Sequence, residues 1–411
     1  MVLHVAFSQY GRQVKLSEGM DGRAIAYSNE AVSFTDGSGQ QSSAYFHLKP
    51  DGANTFPSDS GGFYYSSNSE VGNGGGGVGV IEFDANGEVI DYYQTLVGTN
   101  RNCGGGPTPW KTWISCEESG HTGRVWQTDP SGARSAEQTN VVAFGGNYES
   151  FAFDDRYEIP RFFVTEDSSD GALVRYTPGP AGMACYNQTK DEDRWCTLHE
   201  AGGTYEYLRI TAGNSGTFTW TSSKYSANPN RYKNAEGIDV VNGILIFVSK
   251  VRRALFELDL DAGTFTRSST VSGAFNNAPD QLEILVGGDV NGDSVSDDED
   301  IMFYFCEDGG EHCDIHGRSL GTDKYFTIVE GTGYNGETTG LAFSPDARYM
   351  FVSFQHQGVI WQFWRTDGYS FHSQRLDIKY HDGTIGNRRL GGDHRRLNEA
   401  RTRLGAPHRN G

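Results

Sequence analysis

Six short apolar runs recur along this sequence, and each ends in polar residues: 63–70, 112–118, 162–167, 244–249, 303–308 and 349–356. Between them lie hairpin outlines, in which two alternating apolar runs flank a short Asp/Gly or Pro turn. Residues 78–90, with Asn86-Gly87 at the turn, form the clearest, and residues 254–265 repeat it. Looser copies occupy 123–132, 171–178 and 358–368. Short strands, regular turns and no long amphipathic helix predict an all-β fold. Six central strands predict a six-bladed β-propeller, built as a single domain with insertions. A pair of β-sandwiches is the alternative arrangement.

Composition agrees with many short strands. The chain has 24 Phe, 21 Tyr and 7 Trp beside 54 Gly. Average usage would supply only about 29 glycines, so the excess serves turns and close backbone approaches. No linker-like segment interrupts the chain before about residue 370. The expected organisation is therefore a propeller domain over 1–370 and a basic, solvated C-terminal tail over 371–411.

The formal net charge of −19 excludes nucleic acid as a natural partner, because phosphate backbones are bound by clustered Lys and Arg. An excess of carboxylates suits calcium instead. No run approaches 18 apolar residues, so no membrane-spanning helix is expected. The first residues have no charged and apolar leader pattern. Cys185 with Cys196, and Cys306 with Cys313, are close enough in sequence to close as disulfides in an oxidising compartment. Asn187-Gln188-Thr189 is a glycosylation sequon, which also fits secretion. An extracellular or secretory location is the expectation, and a monomer the favoured state.

Four of the six central strands end in carboxylates, so converging ends would build an acidic funnel. The run from Arg101 to Trp110 stands out within it. Cys103 lies between Asn102 and three glycines, where backbone can approach a ligand closely and a thiolate would be a strong ligand for iron or zinc. A disulfide between Cys103 and Cys116 is the structural alternative. Glu117 and Glu118 alternate on a strand, so at most one faces the funnel. Glu149 and Glu236 each precede a further apolar strand at an equivalent place, and together they become candidates for a shared centre of oxygen ligands.

A second metal motif is independent of the first. Asp289, Asn291, Asp293, Asp297 and Asp300 fall at positions 1, 3, 5, 9 and 12 of a calcium loop, with Ser294 and Asp300 where Gly and Glu are preferred. No phosphate loop, nucleophile elbow or His-Glu-x-x-His helix occurs.

Several pieces occur together in one order: Asn68-Ser69-Glu70, the run from Gly98 to Trp110, Ser115-Cys116-Glu117-Glu118, Thr165-Glu166-Asp167, Glu236-Gly237, Pro279-Asp280, Cys306-Glu307-Asp308-Gly309-Gly310, residues 337–346, Phe351-Val352 and Gln355-His356. In them the chain resembles the PhoX-type alkaline phosphatase family, in particular its shorter members. The resemblance implies hydrolysis of small-molecule phosphate monoesters at a centre of Fe3+ and Ca2+ on the axis of a six-bladed propeller. It implies Cys103 as an iron ligand, with Asn68, Glu70, Glu118, Glu149, Glu236, Asp280, Glu307, Asp308 and Glu337 as further metal candidates. Arg101, Cys103, Glu149 and Glu236 are the residues expected to carry catalysis. The chain departs from the family's pattern in two places. Tyr148 replaces a His, and Asn234 replaces an Arg that would contact phosphate, a loss for which Arg101 is the candidate compensation. Two other readings are a noncatalytic calcium-stabilised binding module and a calcium-dependent lactonase or esterase.

Overall fold

A computed structural model describes residues 5–271, 275, 277–286, 301–310, 312–320 and 325–372. Nearly every element is a strand, and the arrangement is propeller-like. One four-stranded sheet contains, in order, Pro50–Pro57, Phe63–Ser69, Gly76–Phe83 and Val89–Thr99; the next contains Asn102–Pro107, Trp113–Glu117, Val125–Thr128 and Glu137–Gln138. All neighbours are antiparallel.

The expectation of six separate blades is met only in part. Tyr148–Asp154, Arg161–Glu166, Val174–Thr177 and Thr204–Ile210 are joined through Ser215–Thr221 to Thr264–Ser269, Ala254–Asp259, Ile244–Ser249 and Ala235–Val241, giving one nine-stranded sheet. Ser215–Thr221 does this by bonding to a different strand along each edge. A six-stranded sheet holds Ala278–Val286, Ile301–Asp308, Asp314–Ser319 and Phe326–Glu330, extended by Gln13–Leu16 and Val5–Phe7. Finally, Thr338–Phe343, Tyr349–Phe354 and Val359–Arg365 are completed by Met20–Tyr27, a strand from the other end of the chain.

Burial explains why the second strand of each sheet is easiest to read in the sequence. Ile244–Ser249 and Ile301–Asp308 are buried along almost their whole length, because neighbouring sheets cover both faces; hence their unbroken apolar runs. The outer strand Thr264–Ser269 has only Phe265 buried and is otherwise polar. An α-helix, Pro180–Tyr186, and a short 3-10 segment form an insertion stapled by the Cys185–Cys196 disulfide. Cys306 and Cys313, which could have paired, keep free thiols.

Six strands line the interior: Pro50–Pro57, Asn102–Pro107, Tyr148–Asp154, Ala235–Val241, Ala278–Val286 and Thr338–Phe343. Each packs on the next, and the last packs on the first. Their closeness is paid for in side chains: a Cβ on Gly52 would lie 2.6 Å from the Gly104 Cα, and one on Gly237 would lie 2.7 Å from the Gln281 Cα.

Candidate metal centre

All six interior strands slip register against their neighbours at corresponding places, between Pro50 and Ala53, Asn102 and Gly105, Tyr148 and Phe151, Ala235 and Ile238, Pro279 and Leu282, and Thr339 and Ala342. A bulge of this kind re-aims one side chain. The first residue inside each is Asp51, Cys103, Glu149, Glu236, Asp280 and Gly340. Five of the six are potential metal ligands, contributed by strands spread over some 230 residues.

A second row lies at the ends of the adjoining strands. The backbone N–H groups of Glu70, Glu118, Asp167 and Lys250 donate to the carbonyls of Lys49, Arg101, Asn147 and Asn234, each two residues before one of these bulge residues. Asp308 pairs with Ala278 at the equivalent place. Lys49, Arg101 and Asn234 all adopt positive φ there, with values of 47°, 47° and 50°.

These rows meet. Ligand oxygens of Glu149, Glu236 and Asp280 lie within 4.8 Å of one another, and all three residues are buried. Neither carboxylate oxygen of Glu149, which is 1 % exposed, has a hydrogen-bond partner among the described residues. The Cys103 thiol is free and lies 3.5 Å from Asp51 Oδ2, while Cys116 is also free, so the alternative disulfide is not formed. Asp51 accepts from the amides of Gln281 and Gln355 at 2.6 and 2.7 Å, and Gln355 also donates to Glu70 at 3.1 Å and to Glu337 at 2.7 Å. Lys250 Nζ stands 3.0 Å from Asp308, 3.2 Å from Glu236 and 3.7 Å from both Asp167 and Asp280.

Of the sequence candidates, Cys103, Glu149, Glu236 and Asp280 share this site, with Glu70, Glu118, Asp308 and Glu337 around it. The ambiguity between Glu117 and Glu118 resolves by hydrogen bonding: Glu117 turns away to accept from the N–H groups of Asn100 and Arg124, at 2.7 and 2.9 Å. Asn68 supports the site from beneath. Its amide nitrogen donates to the carbonyls of Cys103 and Gly104, at 2.8 and 2.6 Å, and its oxygen accepts from the Trp113 indole. Arg101 lies on the exposed rim. Glu307 belongs elsewhere, accepting from Asn277 and Asp314 N–H groups and facing His316 Nε2 at 3.4 Å. Asp289, Asn291, Asp293, Asp297 and Asp300 lie outside the described residues. Sequence reasoning missed Asp51, Asp167, Lys250 and Gln355 as members of the site. The missed signal is a short polar-Gly step before an apolar strand, as in Asp51-Gly52, which reads as an ordinary turn.

So many carboxyls in one buried place cannot all ionise without added cations. Burial, reinforced by Asp167 and Glu70, pushes Glu118 up to about 7. Burial likewise pushes Asp280 up to about 7 even though Lys250 opposes it. Burial and then Asp280 raise Glu149 well above the usual range, and burial and then Asp51 do the same to the Cys103 thiol. Burial alone would depress Lys250, but the facing carboxylates, Glu236 foremost, outweigh it and hold the ammonium charged. Groups protonated in the fold but ionised in the unfolded chain stabilise at low pH, and that stability is lost as pH rises through their folded values. The melting temperature of chelator-treated protein should therefore fall between pH 5 and pH 8. With calcium present the fall should be reversed or abolished, because cation binding displaces these protons. Parallel melting curves for the two forms across this window would contradict a metal role for the cluster.

Comparison with known proteins bears on the fold. Residues 76–160 match the family model described as alkaline phosphatase PhoX, a segment that contains Cys103, Glu118 and Glu149. The family resemblance is to PhoX. The PhoX-like fold extends well beyond that segment: Pseudomonas fluorescens PhoX, solved in complex with vanadate, a transition state analogue, superposes with a TM-score of 0.67 over 88 % of this chain and 97 % of its own, at 13 % identity. XC5397 of Xanthomonas campestris, a gluconolactonase, covers 83 % of this chain and 97 % of its own with a TM-score of 0.43 at 12 % identity, too distant to carry an argument. No curated protein sequence matches the chain. Among the described residues, no helix is long and apolar enough to cross a membrane.

Proposed function

We propose that this chain is a metal-dependent phosphatase that hydrolyses phosphate monoesters at an iron and calcium centre on the axis of a six-bladed propeller. The observation that carries the reading is the convergence of Glu149, Glu236 and Asp280, with both Glu149 oxygens buried and unpartnered. A buried carboxylate persists without hydrogen bonds only where something else compensates its charge. The count of six blades treats the nine-stranded sheet as two blades joined through Ser215–Thr221, and six bulged interior strands closing on themselves support it.

The donor set fits hard cations at the carboxylates, with the free thiol of Cys103 as the softer ligand suited to iron. Glu149, Glu236, Asp280 and Asp51 would share the cations, and Glu70, Glu118, Asp308 and Glu337 would complete their surroundings. Bound cations would neutralise the phosphoryl oxygens and favour in-line attack and departure of the alcohol. Asn68 holds the Cys103 turn in place, Gln355 orients Asp51, and Arg101 stands on the rim where an anionic ester arrives. The vanadate complex of the Pseudomonas fluorescens protein supports a phosphoryl-transfer site on this fold.

The Cys185–Cys196 disulfide supports an extracellular or secretory location. The 1–370 propeller, the 371–411 basic tail and a structural calcium loop at 289–300 belong to the same reading. Metal analysis of the purified protein should find both iron and calcium, and the loaded protein should release phosphate from simple monoesters at alkaline pH. Protein that holds both metals and turns over no member of a broad monoester panel would overturn the enzymatic reading.

A further inference from the structure

The second row of the site contains a reversal of sign. At five equivalent strand ends the residue is Glu70, Glu118, Asp167, Lys250 and Asp308, four anions and one cation. Lys250 does not reach the cluster from a flexible loop tip. Its own N–H donates to the Asn234 carbonyl at 2.9 Å, and its carbonyl accepts from Arg253 N–H at 3.0 Å, so the backbone beneath it is tied on both sides. The side chain is 26 % exposed, deep enough to touch Glu236 yet open to the mouth.

An ammonium has three N–H groups. Asp308 at 3.0 Å and Glu236 at 3.2 Å are within ordinary hydrogen-bond reach, whereas Asp167 and Asp280 at 3.7 Å are not. These contacts are ion pairs that do not use up the donors: Glu236 Oε1 still has no hydrogen-bond partner among the described residues, so the ammonium keeps N–H capacity for a further acceptor. Among the described side chains at the mouth, the entering dianion has few other fixed cations to meet. Lys49 is nearly half exposed and pairs with Glu70 at 3.3 Å, Arg101 is on the exposed rim, and Asn234 is neutral with its amide given to Asp167. With metal cations held among the inner carboxylates, the acidic residues at the mouth would still repel a phosphate monoester at the point of entry unless a cation stood among them.

We propose that Lys250 is the phosphate-contacting residue of this site, its ammonium held by the charges of Asp308 and Glu236 and an N–H donated to a phosphoryl oxygen. This rests on the phosphatase reading above, and it assigns a residue outside the metal ligands to substrate binding.

The test uses the full-length, metal-loaded chain with inorganic phosphate as the probe, followed by calorimetry, with metal content measured on the same samples. Lys250→Met should weaken phosphate binding roughly ten-fold or more, the scale of a lost hydrogen bond to a charged group, while iron and calcium contents stay at wild-type levels. Lys250→Arg should retain affinity within a few-fold. Unchanged phosphate affinity in Lys250→Met overturns the proposal, as does an Arg variant no better than the Met variant. A Met variant that gains a further divalent ion would make Lys250 a stand-in for a metal, and one that loses its metals would make it a structural counter-ion; either result also overturns the proposal. Wild-type protein that is metal-loaded but binds no phosphate removes the phosphatase reading itself, an outcome distinct from normal wild-type binding with an indifferent Lys250→Met.

Discussion

Cys103→Ser protein is expected to leave purification without iron and to hydrolyse phosphate monoesters at least roughly 100-fold more slowly than wild type. Replacing partners one shell out from a metal ordinarily costs about 10–100-fold, so losing a direct ligand should cost more. The oxygen of serine stays protonated at neutral pH and is a poor substitute for a soft thiolate. The fold should survive, because Asn68 bonds the backbone carbonyls of residues 103 and 104 and makes no use of the sulfur. Iron quantification separates this from general damage. A Cys103→Ser protein with wild-type iron content would show that the thiol at the centre of the ring is not a ligand.

Gly104→Ala is expected to be the more damaging substitution for the protein as a whole. An added Cβ would lie 2.5 Å from the Glu149 carbonyl oxygen, 2.5 Å from Ser150 Oγ and 2.8 Å from Glu149 Oε1. All three atoms belong to the facing bulge, so relief requires one interior strand to move off the other. Overpacking of this sort costs about 1–3 kcal/mol and here also displaces the carboxylate of Glu149, a proposed ligand. Gly72→Ala is the matched control. Its Cβ would meet nothing nearer than 3.8 Å, and its effect should stay within about 0.5 kcal/mol. Urea denaturation of the two variants, with metal content measured beside it, checks the pair. Equal stability in both would mean that the interior strands are not packed as closely as described.

The parts of this molecule that were legible in its sequence are those fixed by burial on both faces. Ile244–Ser249 and Ile301–Asp308 announce themselves as apolar runs, and the polar residues after them mark strand ends. Cys103 was legible because three glycines follow it. Glu149 and Glu236 could be placed as strand-end acids, and the structure brings them together with Asp280. Asp51 was illegible for a physical reason. Its importance comes from a bulge, and a bulge is a relation between two strands that no local pattern records. Lys250 follows a buried strand as the other rim residues do, yet its sign hides it from a search for carboxylates. The union of two expected blades through Ser215–Thr221 was also hidden, since pairing along the outer edge depends on which neighbour happens to be within reach.

Met20–Tyr27 completes the sheet of Thr338–Phe343, Tyr349–Phe354 and Val359–Arg365. During synthesis this strand emerges before the rest of its sheet and must wait for more than 300 further residues before its partner exists. Until then the circle is open, and Asp51 has no Gln355 to orient it. Contacts this distant along the chain make folding slow and leave edges exposed meanwhile. A metal centre of the kind proposed would therefore be completed only once the later strands exist, and a strand synthesised long before the rest of its sheet is among the last to pair.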